Sequence, residues 1–136
     1  MRSLNLGSNE VEESFPDLQG MGQLQSLVLD QNRMYGGLTE SLAETCPNLY
    51  RLSLQKNRLS GEIPHSLGVL TKLEHLDLSD NCFEGGLPPS MESMQLLKTF
   101  SASNNKLSGD LPSFLGKLTL LTCLALDGNQ FSGTLP

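Results

Sequence analysis

One asparagine recurs in a fixed frame six times along this chain: Asn9, Asn32, Asn57, Asn81, Asn105 and Asn129, at spacings of 23, 25, 24, 24 and 24 residues. Each follows two apolar residues, five and three positions upstream: Leu4/Leu6, Leu27/Leu29, Leu52/Leu54, Leu76/Leu78, Phe100/Ala102 and Leu124/Leu126. Each is followed two positions on by another, namely Val11, Met34, Leu59, Phe83, Leu107 and Phe131. A period of this size, kept in register over the whole chain, specifies a stack of short units that each pack only on their neighbours.

The stretch around each apolar pair alternates in and out, which predicts a short strand with one buried face. After it the chain must turn beside its neighbours, where backbone groups need partners. An inward asparagine carries both a donor and an acceptor, so one per coil can tie adjacent loops together. A Gly-rich segment follows, as in Leu59-Ser60-Gly61-Glu62-Ile63-Pro64 and Leu107-Ser108-Gly109-Asp110-Leu111-Pro112. It reads as a turn, since Gly permits left-handed backbone and Pro stops a local helix. The return limb, Ser66 to Leu73 or Ser113 to Leu121, has apolar residues three apart with Gly interruptions and predicts a short 3₁₀ or irregular segment.

The string Leu-x-Leu-x-x-Asn-x-Leu-Ser-Gly-x-Ile-Pro-x-x-Leu-Gly-x-Leu resembles the plant-type leucine-rich repeat, most fully in residues 52–70 and 100–118. The resemblance covers the whole chain. It implies an α/β repeat solenoid, a right-handed coil with a parallel sheet on the concave face and short 3₁₀ or irregular segments on the convex face. The reading is one domain, 1–136, with units near 1–24, 25–49, 50–73, 74–97, 98–121 and a partial 122–136, taken as part of a longer array. Two units depart from the pattern: Glu12-Glu13-Ser14-Phe15-Pro16 lacks the Gly, and Gly36-Gly37-Leu38-Thr39 lacks the Pro. Repeats of this type occur in receptor-kinase ectodomains, defence receptors and polygalacturonase-inhibitor-like proteins, so the resemblance implies protein or peptide recognition through the concave or lateral face.

Packing fixes the inward positions, which leaves functional information to the outward strand residues. These align into columns: Ser3, Ser26, Arg51, His75, Thr99, Cys123; then Asn5, Val28, Ser53, Asp77, Ser101, Ala125. A third reads Gly7, Asp30, Gln55, Ser79, Ser103, Asp127, and a fourth Ser8, Gln31, Lys56, Asp80, Asn104, Gly128. The candidate partner-binding set is Arg51, Ser53, Gln55, Lys56, His75, Asp77 and Asp80, with Asp30 and Asp127 beside it. Both charge signs in the middle coils suit a complementary protein or peptide surface, where charge pattern sets selectivity. The plainer alternative is a solvated strand face with cross-strand pairing, Arg51 to Asp77 for instance. Six strands about 4.8 Å apart, each showing about 15 Å, offer on the order of 400 Å², half of one side of a standard interface. Such a fragment alone is expected to bind weakly. Val28, Tyr35, Tyr50 and Phe114 are the apolar anchor candidates, with Tyr35 and Phe114 expected to pack.

Other chemistry finds little support. The net charge is −6, with seven acidic residues against Arg2 and Arg33 in the first fifty, which disfavours contact with a nucleic-acid backbone. No apolar run reaches the roughly 18 residues of a membrane span, so no direct membrane insertion is expected. Cys123 lies two coils from His75 and Asp77, too far for a nucleophile and its base. His65, after a turn Pro, reads as a loop residue. Asp77-Leu78-Ser79-Asp80-Asn81 only echoes a calcium loop, and Gly20-Met21-Gly22 only a phosphate loop. Neither a cofactor nor a metal is expected. Cys82 and Cys123 are too far apart in the stack to pair, no Asn-x-Ser/Thr acceptor is present, and the first residues read as repeat rather than as a leader, features that favour a reducing, intracellular compartment, with an extracellular or membrane-tethered one as the alternative for a piece of a receptor. Unpolar-capped ends point to end-to-end self-association. Two further readings stand beside a recognition module: the targeting segment of a larger enzyme such as a receptor-like kinase, and a structural spacer.

Overall fold

The computed structural model describes residues 1–136 and is a stack of coils with two parallel sheets on adjoining flanks. The first sheet has six strands: β1 (Ser3–Asn5), β2 (Ser26–Val28), β4 (Arg51–Ser53), β6 (His75–Asp77), β8 (Thr99–Ser101) and β10 (Cys123–Ala125). They pair in chain order and in phase, Leu27 opposite Leu52, Leu52 opposite Leu76, Leu76 opposite Phe100 and Phe100 opposite Leu124. The central members of this inward column are fully buried, as are Leu54, Leu78 and Ala102 beside them. Thirty apolar side chains form one continuous core ribbon. At the two ends the burial fades: Leu6 is 40% exposed and Leu124 42%, against 1% for Leu76.

The asparagines run along the core edge and bond to the coil before their own. Asn57 donates Nδ2 to the Leu29 carbonyl at 3.0 Å and the Leu54 carbonyl at 3.1 Å, and its Oδ1 accepts the Met34 N–H at 3.0 Å. Asn81 does the same with Leu54 (2.9 Å), Leu78 (3.2 Å) and the Leu59 N–H (3.0 Å). Asn32, Asn105 and Asn129 repeat the pattern with the Val11, Phe83 and Leu107 N–H groups. Asn9 is the exception to one inward amide per coil. It is exposed and bonds only the carbonyls of Leu6 and Gly7 in its own coil, because no earlier coil lies beneath it.

The Gly-rich segment is more than a turn. It forms a second sheet of five strands: β3 (Tyr35–Gly36), β5 (Arg58–Glu62), β7 (Cys82–Gly85), β9 (Lys106–Asp110) and β11 (Gln130–Ser132). Its register is slanted, since Gly61 pairs with Phe83 and Gly85 with Leu107 rather than with the equivalent glycine of the next coil. Gly61 and Gly85 adopt φ of 79° and 75°, a left-handed bend that lets each strand turn while its other groups still pair.

Coil length decides the return limb. The three coils whose asparagines are 24 apart each carry a five-residue 3₁₀ segment: His65–Val69, Pro89–Ser93 and Ser113–Lys117. The coil with spacing 25, which also lacks the Pro, forms a four-residue α-helix, α1 (Leu42–Thr45). An α turn rises less per residue than a 3₁₀ turn, about 1.5 against 2.0 Å, so it absorbs the extra residue within the same width. The coil with spacing 23 has turns only.

Candidate partner-binding face

On the outward side of the first sheet, β4, β6 and β8 place Arg51, His75 and Thr99 side by side in register, with Ser53, Asp77 and Ser101 one step along. Arg51, Ser53, Gln55, His75, Asp77 and Thr99 line a shallow depression of about 270 Å³. Gathering Arg51, His75 and Asp77 there follows from strand alternation, since residues two apart share a face, together with the in-phase pairing of β4 and β6. Arg51 is exposed and forms no ion pair. The cross-strand pairing of Arg51 with Asp77 is not formed: Arg51 stands opposite His75, and Asp77 stands opposite Ser53 and Ser101. Asp77 Oδ1 instead accepts the Ser79 N–H at 3.0 Å and the Ser79 hydroxyl. His75 Nδ1 and Thr99 Oγ1 are 2.9 Å apart.

The other candidates, Asp30, Lys56, Asp80 and Asp127, lie outside this depression. Gln55 Nε2 donates to Asp30 Oδ2 at 3.3 Å, and Asp30 Oδ1 is buried with no partner. Asp127 Oδ1 accepts the Ser103 hydroxyl at 2.5 Å at the far end of the sheet. Asp80 Oδ1 accepts from Asn104 Nδ2 at 3.0 Å, and Lys56 is exposed. Ser26, Ser53, Ser79 and Ser103 face outward yet are buried, because short side chains lie below the taller neighbours that flank them. Thr99 belongs to the depression although composition gives it no mark. Its place in the column of Arg51 and His75 is the signal that finds it.

One backbone feature was not visible in the residue types. Every residue of the fourth column is left-handed: Ser8, Gln31, Lys56, Asp80 and Asn104 have φ of 54–57° and Gly128 has 69°. At that point the chain leaves the first sheet, and the bend keeps the N–H groups of Gln31, Lys56 and Asp80 on the Gln55, Ser79 and Ser103 carbonyls of the next coil. Lys56 and Asp80 are therefore held by a fixed bend rather than by a strand.

The remaining polar and apolar candidates sort by burial. Phe114 is buried, Val28 is half-buried, and Tyr50 is exposed. Tyr35, expected to pack in its turn, is 51% exposed, because it lies on the outward face of β3 where the slanted sheet has no further layer above it. The three cysteines are unpaired. Burial pushes the Cys46 thiol up, which makes it a poor nucleophile. Glu74 lies below the usual carboxylate range because the Lys98 ammonium bonds it at 2.6 Å.

Against known proteins, residues 22–83 match the family model described as leucine rich repeat, and residues 96–118 match a second model of the same description. The chain belongs to the leucine-rich repeat family. Among curated relatives it is 36% identical over 94 residues to Receptor-like protein 45 of Arabidopsis thaliana, which covers 67% of this chain and 10% of that protein. Among solved structures, it superposes on a plant peptide hormone receptor, RGFR1 in complex with RGF2, with TM-score 0.95 and 33% identity over 99% of this chain and 22% of that one. The BIR2 ectodomain from Arabidopsis thaliana gives TM-score 0.87 and 33% identity over 96% of this chain and 68% of that one. The chain spans about a tenth of the length of the curated relatives it matches first.

Proposed function

We propose that this chain is a recognition module that binds a protein or peptide partner across the outward face of its first sheet, centred on β4 and β6. The observation that carries the reading is the depression itself. Arg51, His75 and Asp77 line it together over buried Leu52 and Leu76, and neither Arg51 nor Asp77 has an ionic partner within the chain. A cation and a carboxylate left unmatched by the fold are available to match charges on a partner, which sets selectivity and encounter rate. Similarity supports it: the neighbours include a peptide hormone receptor in complex with RGF2 and PEPR1 with AtPEP1. In the longer protein, these coils belong to a receptor-like protein or receptor kinase, a reading supported by the names of the relatives and by the small share of each that the chain spans.

The test is affinity capture from native extract with the unmodified chain and with a variant carrying Arg51→Ala, Lys56→Ala, Asp77→Asn and Asp80→Asn. Asparagine keeps the acceptors that Ser79 and Asn104 use while removing the charge. The expected result is a partner captured by the first and lost by the second at an unchanged thermal midpoint. Undiminished capture by the variant would move the site off this face, and a spacer would capture nothing with either.

A further inference from the structure

A second groove lies on another flank, where the second sheet meets the return limbs. Its lining is Leu38, Ile63, Pro64, Leu87, Pro88 and Pro89 over three successive coils, with Glu40, Glu62 and His65 at the rim. Leu38, Ile63 and Leu87 are 4–8% exposed and form an apolar floor. Pro64 and Pro88 are both extended, with φ −66°, and have no N–H, so those two positions offer a partner strand no donor for main-chain pairing. Recognition at those two positions falls to side chains.

The carboxylates dominate the rim, with His65 its one titratable base. Glu40 and Glu62 are exposed carboxylates, and no Lys or Arg lines the groove. Glu40 is positioned, because its Oε2 accepts the Ser66 backbone N–H of the following coil at 3.2 Å. Hydrogen bonding to Ser66 holds the Glu40 carboxyl below its usual range, and the neighbouring His65 adds to the effect. Glu62 lies with its stem against Gly85, where an added Cβ would meet Glu62 Cγ at 3.0 Å, and pairs in register with Glu84, another exposed carboxylate. An apolar floor under acidic groups complements a side chain with a long hydrocarbon stem and a cationic head, which is Lys or Arg.

We propose that this groove, about 410 Å³ in volume, is a second docking site that takes a basic segment of a partner protein, laying a Lys or Arg stem along Ile63 and Leu87 with its head between Glu40 and Glu62. The site is independent of the face formed by Arg51, His75 and Asp77, and a partner can occupy both. Its direct test uses fluorescence anisotropy with two decapeptide pools, each rich in Leu and Pro, one with Lys or Arg fixed at the centre and the other with Gln there. The basic pool should bind the full chain more tightly than the Gln pool, and binding should weaken as salt is raised. The double variant Glu40→Gln, Glu62→Gln keeps the acceptor for Ser66 and should weaken the basic pool about fivefold to tenfold. The four-residue variant of the first face should bind it as the unmodified chain does. Equal binding of both pools, binding indifferent to the double variant, or loss in the first-face variant would each overturn the proposal.

Discussion

A single asparagine does several jobs at once in this chain. Asn81 bonds three buried carbonyls and one buried N–H that belong to two different coils, so its loss leaves the Leu59 N–H without a partner in a dry place and takes one of two donors from the Leu54 carbonyl, which keeps Asn57. Asn81→Leu keeps the γ-branched shape but orphans that N–H and removes the bridging bonds, and should cost about 2–4 kcal/mol in urea unfolding. Asn9→Leu, whose amide meets only its own loop, should stay within about 1 kcal/mol. Equal losses at both sites would show that the bridging bonds do not carry the stability. The asparagine frame was legible because one residue type keeps one role at every turn. The left-handed column was not, because Lys56 and Gln31 are types that seldom take φ near 55° and the stacked coils impose it on them. Gln31→Gly removes that conflict and should raise stability by about 0.5–1 kcal/mol, after the larger chain entropy of Gly is counted. A loss on this substitution would mean that the Gln31 side chain, which accepts from Ser8 Oγ at 3.5 Å, matters more than its backbone.

Between elements, the return limbs pack so closely that side chains are excluded at one place. A Cβ on Gly68 would fall inside contact distance of the Ser90 backbone, and Ser90 is pinned there because its hydroxyl donates to the His65 carbonyl at 2.6 Å. Gly68→Ala should therefore lower stability by about 1–3 kcal/mol through overpacking. Gly116, the matching position of Ser113–Lys117, has nothing within 4 Å of an added Cβ, so Gly116→Ala should be neutral or slightly stabilising. Thermal midpoints of the two variants check this, and the order reversed would contradict the packing. The repeat period announced the limbs and the first sheet, whose inward pairs alternate plainly. The second sheet was hidden. Its strands run through glycines that weaken a strand signal, and its pairing is offset between coils, so neighbouring partners in space are not equivalent positions in sequence. The lateral groove was hidden with it, since Leu38, Ile63 and Leu87 become a floor only when that offset brings three coils together.

Across the whole molecule, stability is a sum over coils and their contacts, so it cannot be even along the chain. Each inner coil is covered on both sides, whereas β1 and β10 each lie against one neighbour. The exposure of Leu6 and Leu124 against that of Leu76 is the consequence in side chains, and the exposed Asn9 is its consequence in hydrogen bonds. Amide exchange on the chain as it stands should find the N–H groups of Leu54, Leu59 and Leu78, which are bonded between inner coils, slowest, and those around β1 and β10 faster by about a hundredfold or more. Since the faces that fray are also apolar, the same solution should show concentration-dependent association by sedimentation velocity. A Leu124→Glu substitution should suppress that association while leaving the exchange of the inner coils unchanged. Uniform protection from β1 to β10 together with a single sharp, concentration-independent melting step would show that the coils behave as one cooperative block, and that contacts between neighbours outweigh the missing cover at the ends.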